Sequence, residues 1–168
     1  LRAGNYDDVA VVSEATCDAL IQAEEYWDIK FDTVTQLMAN CPLRTSQDTK
    51  NFHREFSARD IDFLLSCFKF GWMNPWWAAK LSDQGVPEQV FPEVMARRSQ
   101  DLPDLYCPTG AIWIANTALL KGAGTFYGEG HAFEILPWTS AVDIDDMEDF
   151  LMAKAVHMML HSDSIENG

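Results

Sequence analysis

Five carboxylates crowd into the eleven residues 140–150, "SAVDIDDMEDF", where an extended segment gives way to a helical one. In extended chain, residues two apart point the same way. Asp143 and Asp145 can therefore converge on one hard cation that takes oxygen ligands, as magnesium does. The same stretch has a second use. Asp145 followed by Glu148 has the spacing of a capping box with Asp in the Ser/Thr place, and acids in a first turn complement the helix dipole. On spacing alone capping is the commoner use, and both can hold together, with Asp145 capping and Asp143 ligating.

The cations offer fewer options. In "RRSQDLPDLYCPTGAIW" (97–113), Arg97 and Arg98 are neighbours, and a guanidinium fork suits a carboxylate or a phosphate; adjacent arginines are more often simply solvated. In "CPLRTSQD" (41–48), Arg44 follows a predicted strand end, where open α/β sheets place their ligands; its plainer use is a surface turn. The glycine-rich "KGAGTFYGEG" (121–130) holds one lysine among two aromatics and an acid, so it reads as turn geometry rather than a phosphate loop. His157 and His161 lack the glutamate of a metalloprotease helix, and Cys107 has no neighbouring base and orienting acid.

Charge narrows the partners. Twelve basic against 26 acidic residues give a formal charge of −14, which repels nucleic acid and anionic membrane surfaces alike. A small anionic ligand then needs a bound cation. With 48% hydrophobic and 12% aromatic residues in 168, and no repeat or linker, the chain reads as one domain, 1–168. No run approaches the roughly 20 apolar residues of a membrane span, and no leader opens the chain. The four cysteines form no CxxC pair, so free thiols and a cytoplasmic location are expected. The first residue is Leu1 rather than Met, from which a processed or truncated product is expected.

The elements that must position these residues follow from periodicity. Val12, Ala15, Ala19, Leu20, Ala23 and Trp27 recur at helical spacing, predicting a helix over about 9–28. Residues 31–44 read as a strand running into a Pro-containing loop, 45–60 as a surface helix, and 61–73 as a buried strand. Residues 74–93, with three prolines, are irregular or a hairpin. From Ala111 a strand runs into a short helix, followed by a glycine-rich loop, another strand and a closing helix. This alternation predicts an α/β domain with a partly parallel sheet.

"CPLRTSQD", "RRSQDLPDLYCPTGAIWI" and "SAVDIDDMEDFLMAKA" resemble, in order and approximate spacing, motifs of the acylneuraminate cytidylyltransferases, the CMP-sialic acid synthetases and their relatives acting on similar nonulosonates. There the equivalents read roughly SPLRT, RQDLPxxYxxNGAIYI and SIDIDxxEDFxxAE, and the resemblance covers about residues 5–160. It implies transfer of CMP from CTP to the anomeric hydroxyl of a nine-carbon sugar acid, with release of pyrophosphate. It implies Mg2+ held by Asp143 and Asp145, a sugar carboxylate held with help from Arg98, and a sugar pocket lined by Trp113, Phe126 and Tyr127. Arg44 falls in the matching SPLRT motif. The resemblance also implies a homodimer, with residues 74–106 reaching towards the partner's site; separately, the tryptophan-rich "FGWMNPWWAAKL" (70–81) is either a contact between copies or an internal aromatic cluster.

Departures from the pattern shape the expectation. The family opens with a strand and a loop resembling ARGGSKGIPRKN that grips the nucleotide, whereas this sequence aligns from a point well after it. The expected architecture is thus an incomplete Rossmann-like nucleotidyltransferase sheet flanked by helices, the central and C-terminal part of the fold. Met38 replaces a glutamine, Ala39, Asn40 and Cys41 a Pro-Thr-Ser run, Thr109 an asparagine and Trp113 a tyrosine of the family motifs. Three outcomes stay open at this level: a cytidylyltransferase impaired or inactive alone, a sugar-acid-binding module, and a structural oligomeric remnant.

Overall fold

The computed structural model describes residues 12–162. The predicted first helix is α1, Val12–Trp27, ended by Asp28 in the left-handed region (φ 51), a conformation Asp tolerates better than most residues. It leads to β1, Thr33–Gln36. Helix α2, Ser46–Ala58, begins at a capping box in which the Thr45 hydroxyl accepts from the Asp48 N–H and Asp48 accepts from the Thr45 N–H. Strand β2, Phe63–Lys69, is the buried apolar run. Residues 74–93 do form a hairpin, β3 (Ala79–Leu81) with β4 (Pro87–Gln89), whose turn holds Gly85 at φ 76.

Strand β5, Tyr106–Asn116, runs into α3, Thr117–Ala123, where the Asn116 side chain accepts from the Ala118 and Leu119 N–H groups. Strand β6, Ala132–Ile135, and helix α4, Met147–His161, complete the described chain.

The sheet order is β1-β5-β2-β6, with β5 antiparallel to both neighbours and β2 parallel to β6. The mixed α/β expectation holds, with one parallel pair among the three. Alternation along the central strands divides the core. Leu64, Ile112 and Ile114 face α2 and pack with Phe52 and Leu136. Phe63, Leu65, Trp113 and Ala115 face the other way and pack with Leu120 and Phe126, with Cys17 of α1 against them. Each large side chain so enclosed contributes about 1.5–3 kcal/mol of burial free energy.

One strand is longer than the sequence predicts. Strand β5 starts at Tyr106 rather than near Ala111: it pairs with β2 from Tyr106 to Pro108, bulges over residues 109–112 opposite Ser66, and resumes at the Leu65–Trp113 pair. Buried Ser66 fills the gap in the ladder: its hydroxyl donates to the Thr109 carbonyl at 2.8 Å and accepts the Ile112 N–H at 3.0 Å. The Trp113 indole N–H also donates to that carbonyl, at 2.8 Å.

Candidate functional site

The β5 bulge is where two loops meet. From the 38–45 loop, the Met38 N–H donates to the Gly110 carbonyl, and Arg44 Nη1 donates to the carbonyls of Met38 (3.1 Å) and Ala111 (2.7 Å). From the 136–146 loop, the Ala141 carbonyl accepts the Thr109 hydroxyl at 3.3 Å, and the Ile144 N–H donates to the Asn40 carbonyl at 2.9 Å. Gly110 permits the close approach, since a Cβ there would stand 1.9 Å from Met38 Sδ. The acidic segment is thereby held by the Thr109 hydroxyl of β5 and by the backbone of Asn40 in the 38–45 loop.

Within that segment the helix cap falls one residue later than expected. Asp146, not Asp145, caps α4: its carboxylate accepts from the Glu148 and Asp149 N–H groups, and Asp149 reaches back to the Asp146 N–H. The sequence offers both pairs, Asp145 with Glu148 and Asp146 with Asp149, and spacing alone does not separate them. Both metal candidates are consequently released from capping by their side chains. Asp145 Oδ1 accepts only a long bond from Asn40 Nδ2, at 3.4 Å. Partial burial, then the charges of Asp145 and Asp149, push the Asp143 carboxyl up from its ordinary value. No lysine or arginine pairs with either aspartate among the described residues.

Beside Asp143 opens a cavity of about 520 Å³, walled by Phe68, Phe70, Trp72 and Trp138 with Asp143 and Asp149 on its polar side. The sequence reading missed Phe68, Phe70 and Trp138; Trp138 was legible only through its place five residues before Asp143.

The remaining predicted site residues separate. Arg44 lies at the site but spends one Nη on two backbone carbonyls. Arg98 is exposed and holds Asp101 through two bonds, Nε to Oδ2 at 2.8 Å and Nη2 to Oδ1 at 3.1 Å. Phe126 is fully enclosed in the core and Trp113 nearly so, their rings 5.4 Å apart. Tyr127 is half-exposed at the edge of that cluster, 5.7 Å from Trp113. Cys107, pushed up by burial and then by Asp143, lies within electrostatic reach of Asp143 and also raises Tyr127 after burial. Tyr127 is therefore the one aromatic of the three that is substantially exposed.

Among the described residues, no group of three or more His, Cys, Asp or Glu side chains forms a complete metal cage. A two-carboxylate site fits a cation that keeps several waters and takes its other ligands from a bound phosphate. No helix of the described residues is long and apolar enough to cross a membrane.

No family model matches the chain. It is 27% identical over 144 residues to the post-translational flagellin modification protein B of Campylobacter coli, a match covering 85% of this chain and 60% of that protein. It is 31% identical over 116 residues to the N-acylneuraminate cytidylyltransferase of Streptococcus agalactiae serotype III, covering 68% of this chain and 28% of that protein. The chain is a distant homologue of the acylneuraminate cytidylyltransferases.

Its fold is shared with the 4-diphosphocytidyl-2C-methyl-D-erythritolsynthase of Anaerococcus prevotii, at a TM-score of 0.53 and 11% identity over 87% of this chain and 66% of that one. The likeness is one of fold, a mixed sheet flanked by helices. The chain spans less than two thirds of the length of each of these relatives.

Proposed function

We propose that this cytidylyltransferase homologue binds a sialic-acid-type sugar and CTP or CMP through Mg2+ held by Asp143 and Asp145, with little or no turnover by the chain alone. The observation that carries the reading is the aspartate pair itself. Asp143 and Asp145 stand two residues apart on a loop held beside the β5 bulge, Asp143 raised by partial burial and by the charge of Asp145, and neither has a lysine or arginine partner among the described residues. Such a pair is stabilised by a divalent cation. Bound there, the metal would supply charge neutralisation for the nucleotide phosphates.

The low turnover has its own support. A triphosphate needs cations around it, yet Arg44 is engaged with backbone carbonyls and Lys69, which lines the cavity, with Asp104, while Arg98 is held by Asp101 away from the pair. The same engagement favours a second reading, a sugar-acid-binding or structural oligomeric protein without catalysis. A cytoplasmic setting and a homodimer belong to the proposal. All four cysteines are free thiols, consistent with that setting.

Incubation with CTP, Mg2+ and N-acetylneuraminic acid, followed by measurement of pyrophosphate and CMP-sugar, separates the readings. Magnesium-dependent nucleotide binding with trace or no product supports the proposal. Sugar-acid binding without any nucleotide binding supports the second.

A further inference from the structure

Two histidines meet on the last turns of α4. His157 and His161 stand four residues apart, so the helix sets one above the other on the same face. Their rings lie 4.2 Å apart, centroid to centroid, and 33° from parallel, and both side chains are open to solvent. A tetrahedral ion that binds two imidazoles at roughly 2.0–2.1 Å sets their nitrogens about 3.3 Å apart. Rings already stacked at this distance reach that separation by small rotations of their side chains.

His161 is also held in the orientation a ligand needs. Its Nδ1 lies 2.7 Å from the His157 carbonyl oxygen. A carbonyl only accepts, so Nδ1 carries the proton and Nε2 of the neutral ring keeps its lone pair free. A bond of this kind, from the second ring nitrogen to a backbone carbonyl, fixes the tautomer of metal-bound histidines generally. Among the described residues, His53, His131 and His161 make ring hydrogen bonds and His157 makes none, which leaves its nitrogens open.

The ligand chemistry selects the ion. Imidazole nitrogen suits zinc, nickel and copper, whereas magnesium and calcium take oxygen. The carbonyl end of a helix and a formal charge of −14 favour a cation there, and Lys154, one turn earlier, opposes it. Two protein ligands leave the other positions to water, fewer than the three of a catalytic zinc centre, so the pair fits a clamp on the helix end rather than a reaction centre.

We infer that His157 and His161 chelate one divalent ion of the zinc, nickel or copper kind, which clamps the last turn of α4. The site lies at the opposite end of α4 from the Asp143–Asp145 pair and differs from it in ligand chemistry. It stands whether or not a nucleotide binds at that pair.

Calorimetric titration of the full chain with zinc chloride tests this, in excess Mg2+ so that sites for hard cations are filled, with circular dichroism of each variant to verify folding. One equivalent of Zn2+ is expected to bind and to raise the melting temperature. His157→Ala and His161→Ala are each expected to weaken binding at least about tenfold with unchanged spectra, while Asp143→Ala leaves it as it was. A chain carrying His161→Ala and Met159→His keeps two histidines, but two residues apart on diverging faces, and is expected to bind no better than His161→Ala. No heat with Zn2+, zinc binding that survives either single histidine substitution or is restored in the double variant, or binding lost in Asp143→Ala would overturn the inference.

Discussion

Asn40 holds the Asp145 loop at two points. Its carbonyl accepts the N–H of Ile144, and its side-chain amide reaches Asp145 Oδ1 at 3.4 Å. A residue within the loop after β1 thus helps set where the acidic segment lies, across more than 100 residues of sequence. Asn40→Ala keeps the backbone bond and removes the amide, so the fold is expected to survive with a loss of at most about 1 kcal/mol. Magnesium-dependent nucleotide binding is expected to weaken several-fold, as calorimetry of the folded variant would record. Unchanged binding would detach Asn40 from the site.

Glu24 is buried on α1 and receives Lys121 from α3 and Lys30 from the following loop, each at 2.8 Å. Hydrogen bonds from Lys121, then from Lys30, lower its carboxyl to about 2. Its folded value lies below the unfolded one, roughly 4.3. The stabilisation is therefore complete above the unfolded value and is lost as pH falls towards 2. Thermal melts of Glu24→Gln against wild type should show the larger deficit at neutral pH, shrinking as the pH is taken down through that window. A deficit independent of pH would contradict the ion-pair account.

Two glycines permit contacts that a methyl group would block. A Cβ on Gly110 would meet Met38 Sδ at 1.9 Å, and one on Gly128 would meet the buried ring of Phe63 at 2.4 Å. Each Gly→Ala change should cost about 1–3 kcal/mol in denaturant unfolding. Combining Gly110→Ala with Met38→Ala should return part of that loss, because the blocking side chain is gone; strict additivity would show that Met38 is not the obstacle.

Ser66 replaces a missing rung of the sheet by bonding the Thr109 carbonyl and the Ile112 N–H, both in the buried centre of β5. Ser66→Ala leaves that N–H without its partner and should destabilise by about 1–3 kcal/mol. Ser66→Thr, which keeps the hydroxyl, should lose less if the extra methyl is accommodated. Equal losses would mean that volume rather than hydrogen bonding decides.

These details explain what the sequence could and could not reveal. Helix α1 was legible through its apolar spacing, α2 through its polar, Ser/Asp-opened composition, and β2 through a continuous apolar run that is buried on both faces. The opening of β5 was not, since Pro108 and Gly110 read as breakers and the side chain that repairs the ladder, Ser66, lies more than 40 residues away. The acidic cluster announced itself as composition, but the cap belongs to Asp146 because the helix starts one residue later than the spacing favoured. Trp113 and Phe126 show the limit of assigning roles from motif position. Their aromatic character serves the core here, and only Tyr127 stays near the surface.

The central claim, that Asp143 and Asp145 form a magnesium-dependent nucleotide site, is tested most directly by calorimetric titration of the full chain with CTP and CMP. The titrations are run with Mg2+, with EDTA, and with Asp143→Ala in place of the wild type. The account predicts heat for the wild type in Mg2+, abolished by EDTA and reduced at least about tenfold by Asp143→Ala. Binding that persists without the metal or without Asp143, or no heat with either nucleotide, would contradict it.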